Sequence, residues 1–407
     1  MMLLEYAIWG AWAAVAGKYF TDPKPNGLGF PGAFSGLLFS LLPLGSILSP
    51  LAVGQLADRW MRGERLQGYL CLLCSGVLFA LSRATGQMNV LWLMLIYALL
   101  FAPTTSLTNA IAFHHLKDPA KEFGKVRVGG TVGWFLALGC LSAWRHFAAA
   151  PVPGDLFMLA GVFSLLLGVY SFFLPATHPQ HTSGGLPFIK ALSLLKEPNF
   201  RVFAICSFTL GITLDFYYIF ASAYLGTPRE LGGIGASTQT VPLMMMLPQL
   251  SEMIFMSSLG WSLPKLGVKR ALVIGFSGWI VRYLLLGLFP NYAAATSALL
   301  LHGIVITFVL VVGNLYVNDI APTTIRSSAQ ALVAMGLFGL GRFVGAQLAG
   351  FVHDANTQAV SVTINGIDYH QQTNWFGMYS VPAVLAGFAL VGLVLYFREP
   401  VKSNASP

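Results

Sequence analysis

The side chains in this sequence that could do chemistry are few and lie where they are costly. In the stretch 240–264, TVPLMMMLPQLSEMIFMSSLGWSLP, one carboxylate, Glu252, stands near the middle of an apolar run. A central acidic residue in a membrane helix costs roughly 2.5–3.5 kcal/mol on insertion scales. Gln249 lies one turn earlier on the same helical face, and Pro248 beside it predicts a bend. Either a neighbouring helix pairs this acid structurally, or it serves a ligand or a proton. Asp215, in SFTLGITLDFYYIFASAYL, is a second deep acid with Tyr218 following at i+3. It lines a polar cavity or belongs to a structural pair. Arg127 opens GKVRVGGTVGWF, and Thr131 and Trp134 follow at i+4 and i+7, giving a stripe of cation, hydroxyl and ring. Arg127 either snorkels to the headgroups or reaches inward to a carboxylate. Arg282 and Arg342 are also deep. Arg282 reads as structural, Arg342 as either an ion-pair partner or a gate. An amide, carboxylate, hydroxyl and aromatic rings on facing helices can hold a polar planar ligand by stacking and hydrogen bonding.

The elements that position these groups are membrane helices. Of 407 residues, 56% are hydrophobic and only 9% charged, with mean hydropathy +0.70. Soluble domains carry about 25% charged residues, so the chain reads as an all-α, polytopic membrane protein. Twelve candidate spans are counted, at about 3–20, 33–57, 67–84, 89–114, 126–148, 155–175, 202–225, 239–264, 271–289, 295–317, 327–351 and 375–397. The first lacks a basic n-region and reads as a retained span rather than a cleaved signal. Residues 1–177 form a first group of six and 202–407 a second. Between them, 178–201 reads as a linker carrying a short amphipathic surface helix, IKALSLLKE. Six spans plus six around such a linker is the pattern of a duplicated transporter.

Lys and Arg set the orientation. Fifteen of the 23 fall in loops on one side and five on the other, so the first side, with both termini and the linker, is cytoplasmic. The stretch 353–374 is then the largest outside loop. The net charge of +8 serves orientation and does not point to nucleic acid. Four cysteines form no disulfide framework, and Cys71 and Cys74, a CxxC inside an apolar helix, read as packing residues. The histidines show no ligand spacing, so no metal or other cofactor is expected. Catalytic motifs such as GxSxG, HExxH or a P-loop are not found.

The run Gly54-Gln55-Leu56-Ala57-Asp58-Arg59 follows the second span. It resembles the loop signature of the major facilitator superfamily, in which Gly54, Asp58 and Arg59 would form a conformational loop motif. The stretches IWGAWAAVAGKYF, APTTSLTNAIAFHHL, VRVGGTVGW, QLSE, WIVRY and IRSSAQ occur in order. Together they resemble the nucleoside:proton symporter family, the bacterial nucleoside permeases of that superfamily. The resemblance implies two six-helix bundles around a central site in a bacterial inner membrane, a monomer, and import of nucleosides with protons by alternating access. It carries the family's fifth-span arginine and threonine onto Arg127 and Thr131, and its eighth-span glutamine and glutamate onto Gln249 and Glu252. Three positions depart from it. Trp134 stands for a phenylalanine, Asp215 and Tyr218 stand for a glutamine and an asparagine, and Thr307 stands at a tenth-span acidic position. These eight residues are the expected substrate-binding set, with Glu252 and Asp215 as proton-coupling acids. The alternatives are another polar solute, such as a sugar or modified nucleoside, or an exporter. A receptor or enzyme without transport has no feature in its favour.

Overall fold

A computed structural model describes residues 1–59, 61–148, 152–177, 192–322 and 325–399, without the side chains of 49–59, 119–121, 124, 125 and 327. In lipid, each backbone polar group must be satisfied within its own segment, so apolar runs of this length fold as helices. The first span is broken into α1 (Met2–Ala13) and α2 (Ala16–Thr21). There follow α3 (Gly32–Arg59), α4 (Gly63–Leu81), α5 (Gln87–His115), α6 (Pro119–Phe147) and α7 (Asp155–Ser171). The second half begins with α8 (Pro198–Gly226), α9 (Thr240–Met244) and α10 (Leu247–Leu288). It continues with α11 (Tyr292–Val305), α12 (Val312–Ile320), α13 (Arg326–Ala334), α14 (Arg342–Ala355) and α15 (Trp375–Tyr396).

Among the described residues, eight helical runs are by themselves long and apolar enough to cross a bilayer. One of them, Thr240–Leu288, is two crossings joined end to end, because Gly267 at φ 73° and ψ 172° breaks the helix there. Only a residue without Cβ takes that conformation at little cost. The bend expected at Pro248 falls just before it. Met245 and Met246 separate α9 from α10, and the proline occupies the first turn of α10, where its missing N–H has no helical partner to lose. With α3, α7 and the α1–α2 pair, the crossings number twelve.

α1 packs on α6 and α7, α3 on α5, and α4 on α5 and α7. In the other half α8 packs on α14 and α15, and α10 on α11 and α15. These two bundles meet along α3 and α14, along α2 and α8, and where α6 touches α9 and α10. Two π-helical segments, Ile306–Val311 and Met335–Gly341, interrupt the tenth and eleventh crossings at mid-depth.

Three stretches take a form the sequence did not specify or fall partly outside the described residues. The Gly54–Arg59 stretch is the last part of α3 rather than a loop, and its side chains lie outside the described residues. Residues 178–191 of the linker, including the start of the expected surface helix, also lie outside them. The described remainder forms a 3-10 turn, Ser193–Lys196. The polar stretch 353–374 is not an irregular loop. It forms an antiparallel hairpin of β1 (Thr357–Ile364) and β2 (Ile367–Thr373), closed by Asn365 and Gly366, both at positive φ. An Asn-Gly pair between alternating strands is a strong hairpin signal, and the composition of the stretch concealed it.

Candidate functional site

A cavity of about 360 Å³ lies between the bundles. One wall comes from α1, α3, α5 and α6, the other from α8, α10, α14 and the two π-helical segments. π-helical turns are frequent at functional sites because the extra residue re-aims neighbouring side chains. Here Ile306, Leu310 and Phe338 of those segments face the cavity.

The cavity has two charged poles. At one, Arg127 lies over the Tyr6 ring with its guanidinium carbon 4.1 Å from the centroid. Glu252 lines the cavity on the wall facing Arg127, and no ion pair joins them among the described residues. Gln249 stands one turn before Glu252 on the same wall, and its buried Oε1 accepts no hydrogen bond from the protein. At the other pole Arg342 is held by Asp215. Nε and Nη2 donate to Asp215 Oδ1 at 3.0 and 2.6 Å, and the guanidinium carbon sits 5.0 Å from the Tyr218 centroid. Between the poles, Trp9 meets Trp134 edge-on at 5.4 Å and Trp134 meets Tyr218 edge-on at 6.4 Å. The buried indole N–H of Trp134 has no partner within the protein. Buried donors and acceptors are nearly always satisfied, yet the Gln249 and Trp134 groups are unmet polar groups beside the cavity.

Six of the eight expected residues line this cavity together: Arg127, Thr131, Trp134, Tyr218, Gln249 and Glu252. Two do not. Asp215 is fully buried behind the wall and reaches the cavity only through Arg342. Leu214 and Tyr218, four residues apart, carry the cavity face of α8, and Asp215 is turned about 100° from Leu214. Thr307 is fully buried within a π-helical segment, with Ile306 and Leu310 at the wall in its place. Arg342, undecided from sequence, is a wall residue. Arg282 is buried in the second bundle with no carboxylate partner among the described residues. It stacks at 3.6 Å on the Tyr217 ring, and its Nη1 lies 2.7 Å from His302 Nδ1. Sequence reasoning also missed Tyr6, Ser46, Thr105 and Asn109 on the wall. Uncharged polar residues in apolar helices are too common to stand out. Among the described residues no group of three or more His, Cys, Asp or Glu is arranged to hold a metal ion.

One end of the molecule is sealed. Asp354 of α14 accepts hydrogen bonds from the Gly32 and Ala33 amides of α3, at 2.6 and 2.8 Å. Arg145 forks onto Asp155 at 2.7 and 2.6 Å and also donates to the Thr238 carbonyl across the interface. Ser142 donates to the Gln239 carbonyl, and the Lys18 amide donates to Ser222 Oγ. These bonds between the bundles, and the one that Gln347 Nε2 donates to Ser40 Oγ at 2.9 Å, lie in the half where the hairpin also sits.

Residues 1–402 match the family described as Nucleoside H+ symporter. The chain belongs to that family. It is 33% identical to the putative nucleoside transporter YegT of Escherichia coli K12, over 98% of this chain and 92% of that one. It is 28% identical to the xanthosine permease of the same organism, over 98% and 93%. A crystal structure of the nucleoside transporter NupG superposes with a TM-score of 0.81 at 23% identity, covering 98% of each chain, which establishes the fold. The protein is thus a membrane transporter of the major facilitator type rather than an enzyme, and the family's activity, import of nucleosides with protons, is its activity.

Proposed function

We propose that the inter-bundle cavity is the nucleoside site and that Glu252 carries a coupling proton beside it. The observation that supports this reading best is the pairing of two charged poles with an aromatic strip between them. A nucleoside has the complementary parts: a flat base for stacking, hydroxyls on the sugar, and hydrogen-bonding edges. Trp134, Trp9 and Tyr218 bracket the base. Gln249, Thr131 and Glu252 bind sugar hydroxyls, Arg127 balances Glu252 when it is ionised, and Arg342, positioned by Asp215, donates to the base. A volume of about 360 Å³ lies near the lower end of ligand pockets, about 300–1,000 Å³, which suits one nucleoside. The bundles rock about this site, and the sealed end faces outside, so the cavity communicates with the cytoplasm in this conformation. The protein works as a monomer in the bacterial inner membrane with both termini inside.

The test is Glu252→Gln in proteoliposomes. The amide keeps the hydrogen-bonding reach but not the titration. Exchange of labelled uridine without a gradient should persist, and accumulation driven by a pH gradient should be lost. Gradient-driven accumulation equal to that of the unaltered protein would refute the coupling role.

A further inference from the structure

A second acid sits in the first bundle, outside the cavity and unused by the scheme above. Glu5 of α1 is buried against α4 and α5. Thr104 Oγ1 lies 2.7 Å from Glu5 Oε1 and 2.6 Å from the Phe101 carbonyl oxygen. Gln67 Nε2 lies 3.0 Å from both Glu5 Oε2 and Thr108 Oγ1.

The hydrogens can be counted. Gln67 Nε2 has two, and three acceptors stand round it: Glu5, Thr108 and, at 3.7 Å, Cys71 Sγ. The Thr104 hydroxyl has one, yet it stands at hydrogen-bond distance from two oxygens. A carbonyl brings no hydrogen, so a proton on Glu5 would let both contacts be made at once. With Glu5 ionised, Thr104 Oγ1 donates to Glu5 Oε1; with Glu5 protonated, Oε1–H donates to Thr104 Oγ1 and Thr104 donates to the Phe101 carbonyl. If Glu5 loses its proton to water, the Thr104 hydroxyl turns from Phe101 to the new carboxylate. Gln67 continues to donate, and no other bond changes. Both protonation states are hydrogen-bonded, and one hydroxyl rotation separates them.

No cationic side chain locks either state. Asp215 is fixed by Arg342 and Asp155 by Arg145, whereas Glu5 has no ion pair among the described residues. The titratable groups around it are Cys71 and Cys74 from α4, Tyr97 from α5, and Tyr6 and the Met1 amino group from its own helix. From α6, Arg127 is turned to the face of Tyr6. α7 brings Asp155, which is engaged at the sealed end. The same turns that hold Glu5 also build the cavity wall. Thr104 and Thr108 face the acid, while their neighbours Thr105 and Asn109, with Tyr6 beside Glu5, face the cavity.

We infer that Glu5 is a second proton-binding carboxylate of the transport cycle, hydrogen-bonded in either protonation state through the rotating Thr104 hydroxyl. The inference rests on the proton-coupled activity of the family. Its site lies toward the end of the bundle opposite the seal, so the proton leaves to the side to which the cavity opens.

The test uses the full-length protein and two variants, Glu5→Gln, which fixes the neutral form, and Thr104→Val, which removes the hydroxyl that serves both states. Each coupled proton adds about a ten-fold accumulation per pH unit of gradient. Glu5→Gln should keep gradient-free uridine exchange and lose about that factor in gradient-driven accumulation, with Thr104→Val losing a part of it. In a readout independent of nucleoside, purified Glu5→Gln should take up about one proton fewer per chain than the unaltered protein when moved from about pH 9 to about pH 5. Unchanged accumulation together with unchanged proton uptake overturns the inference. An unaltered protein that exchanges no nucleoside would instead strike at the substrate reading, and the proton count would still decide Glu5.

Discussion

At the scale of single residues, charge in an apolar run was the informative signal. Glu252, Arg127 and Arg342 stood out for that reason, and Gln249, three residues before Glu252, and Thr131, four after Arg127, followed onto the cavity wall with them. The facing of Asp215 was not legible. On a helix one residue is about 100° of rotation, and the choice between wall and interior depends on which neighbour packs where. Thr307 failed for a related reason, since the π-helical segment rotates the face away from the 3.6-residue pattern. Glu5 met the criterion that singled out Glu252, an acid within a span, and its meaning emerged only with its partners. The Asp215–Arg342 pair yields a prediction at this scale. Removing one partner of a buried ion pair leaves an uncompensated charge and costs about 3–5 kcal/mol, whereas replacing both by apolar groups is often neutral. Asp215→Asn should therefore lower the thermal midpoint of the purified protein clearly, and Asp215→Leu with Arg342→Met should recover most of the loss. Both variants should be slow in uridine uptake, because both leave Arg342 absent or misplaced at the wall. An Asp215→Asn protein as stable as its parent would show that the pair does not hold Arg342.

At the scale of elements, the periodic apolar runs gave every crossing, and the errors lie where helices break or continue. The break between α1 and α2, the continuation of α3 through Arg59 and the Gly267 junction in α10 are backbone events that hydropathy does not register. The break between α1 and α2 leads into the seal. α2 crosses α8 so closely that a Cβ on Gly17 would collide with the Ile219 carbonyl oxygen, and a Cβ on Gly36 of α3 would meet the Ala346 carbonyl of α14. Small residues let helix backbones approach in this way. Gly17→Ala should therefore disfavour the sealed end. Overpacking costs about 1–3 kcal/mol, here charged against one conformation, and so shifts the equilibrium about five-fold or more. Ser222 is buried at this contact. In a background with exposed Cys140 replaced by serine, a cysteine at position 222 should react several-fold faster with an impermeant thiol reagent when Gly17 is alanine. Equal reaction rates would mean that the approach of α2 to α8 does not limit opening.

At the scale of the whole molecule, the two bundles, the central cavity and the seal at one end form a single alternating device, and its direction depends on which way it is inserted. Composition speaks to that most directly, because fifteen Lys and Arg on one face oppose five on the other and the bias of short loops sets topology. The structure adds a marker for the opposite face. The β1–β2 hairpin stands at the sealed end, with its Asn365–Gly366 turn exposed and free of contacts around Gly366. A tight turn on an exposed tip tolerates insertion better than any helix here. An epitope placed between Asn365 and Gly366 should be labelled by antibody on spheroplasts with intact membranes, and one at the C-terminus only after permeabilisation. The insertion variant should retain uridine uptake, because the hairpin lies outside the cavity and its walls. The opposite labelling pattern would invert the molecule, placing the sealed end and the hairpin inside and the Glu5 end outside. The cavity would then open outward in this conformation, and the proton released at Glu5 would leave on the same side from which it is meant to arrive.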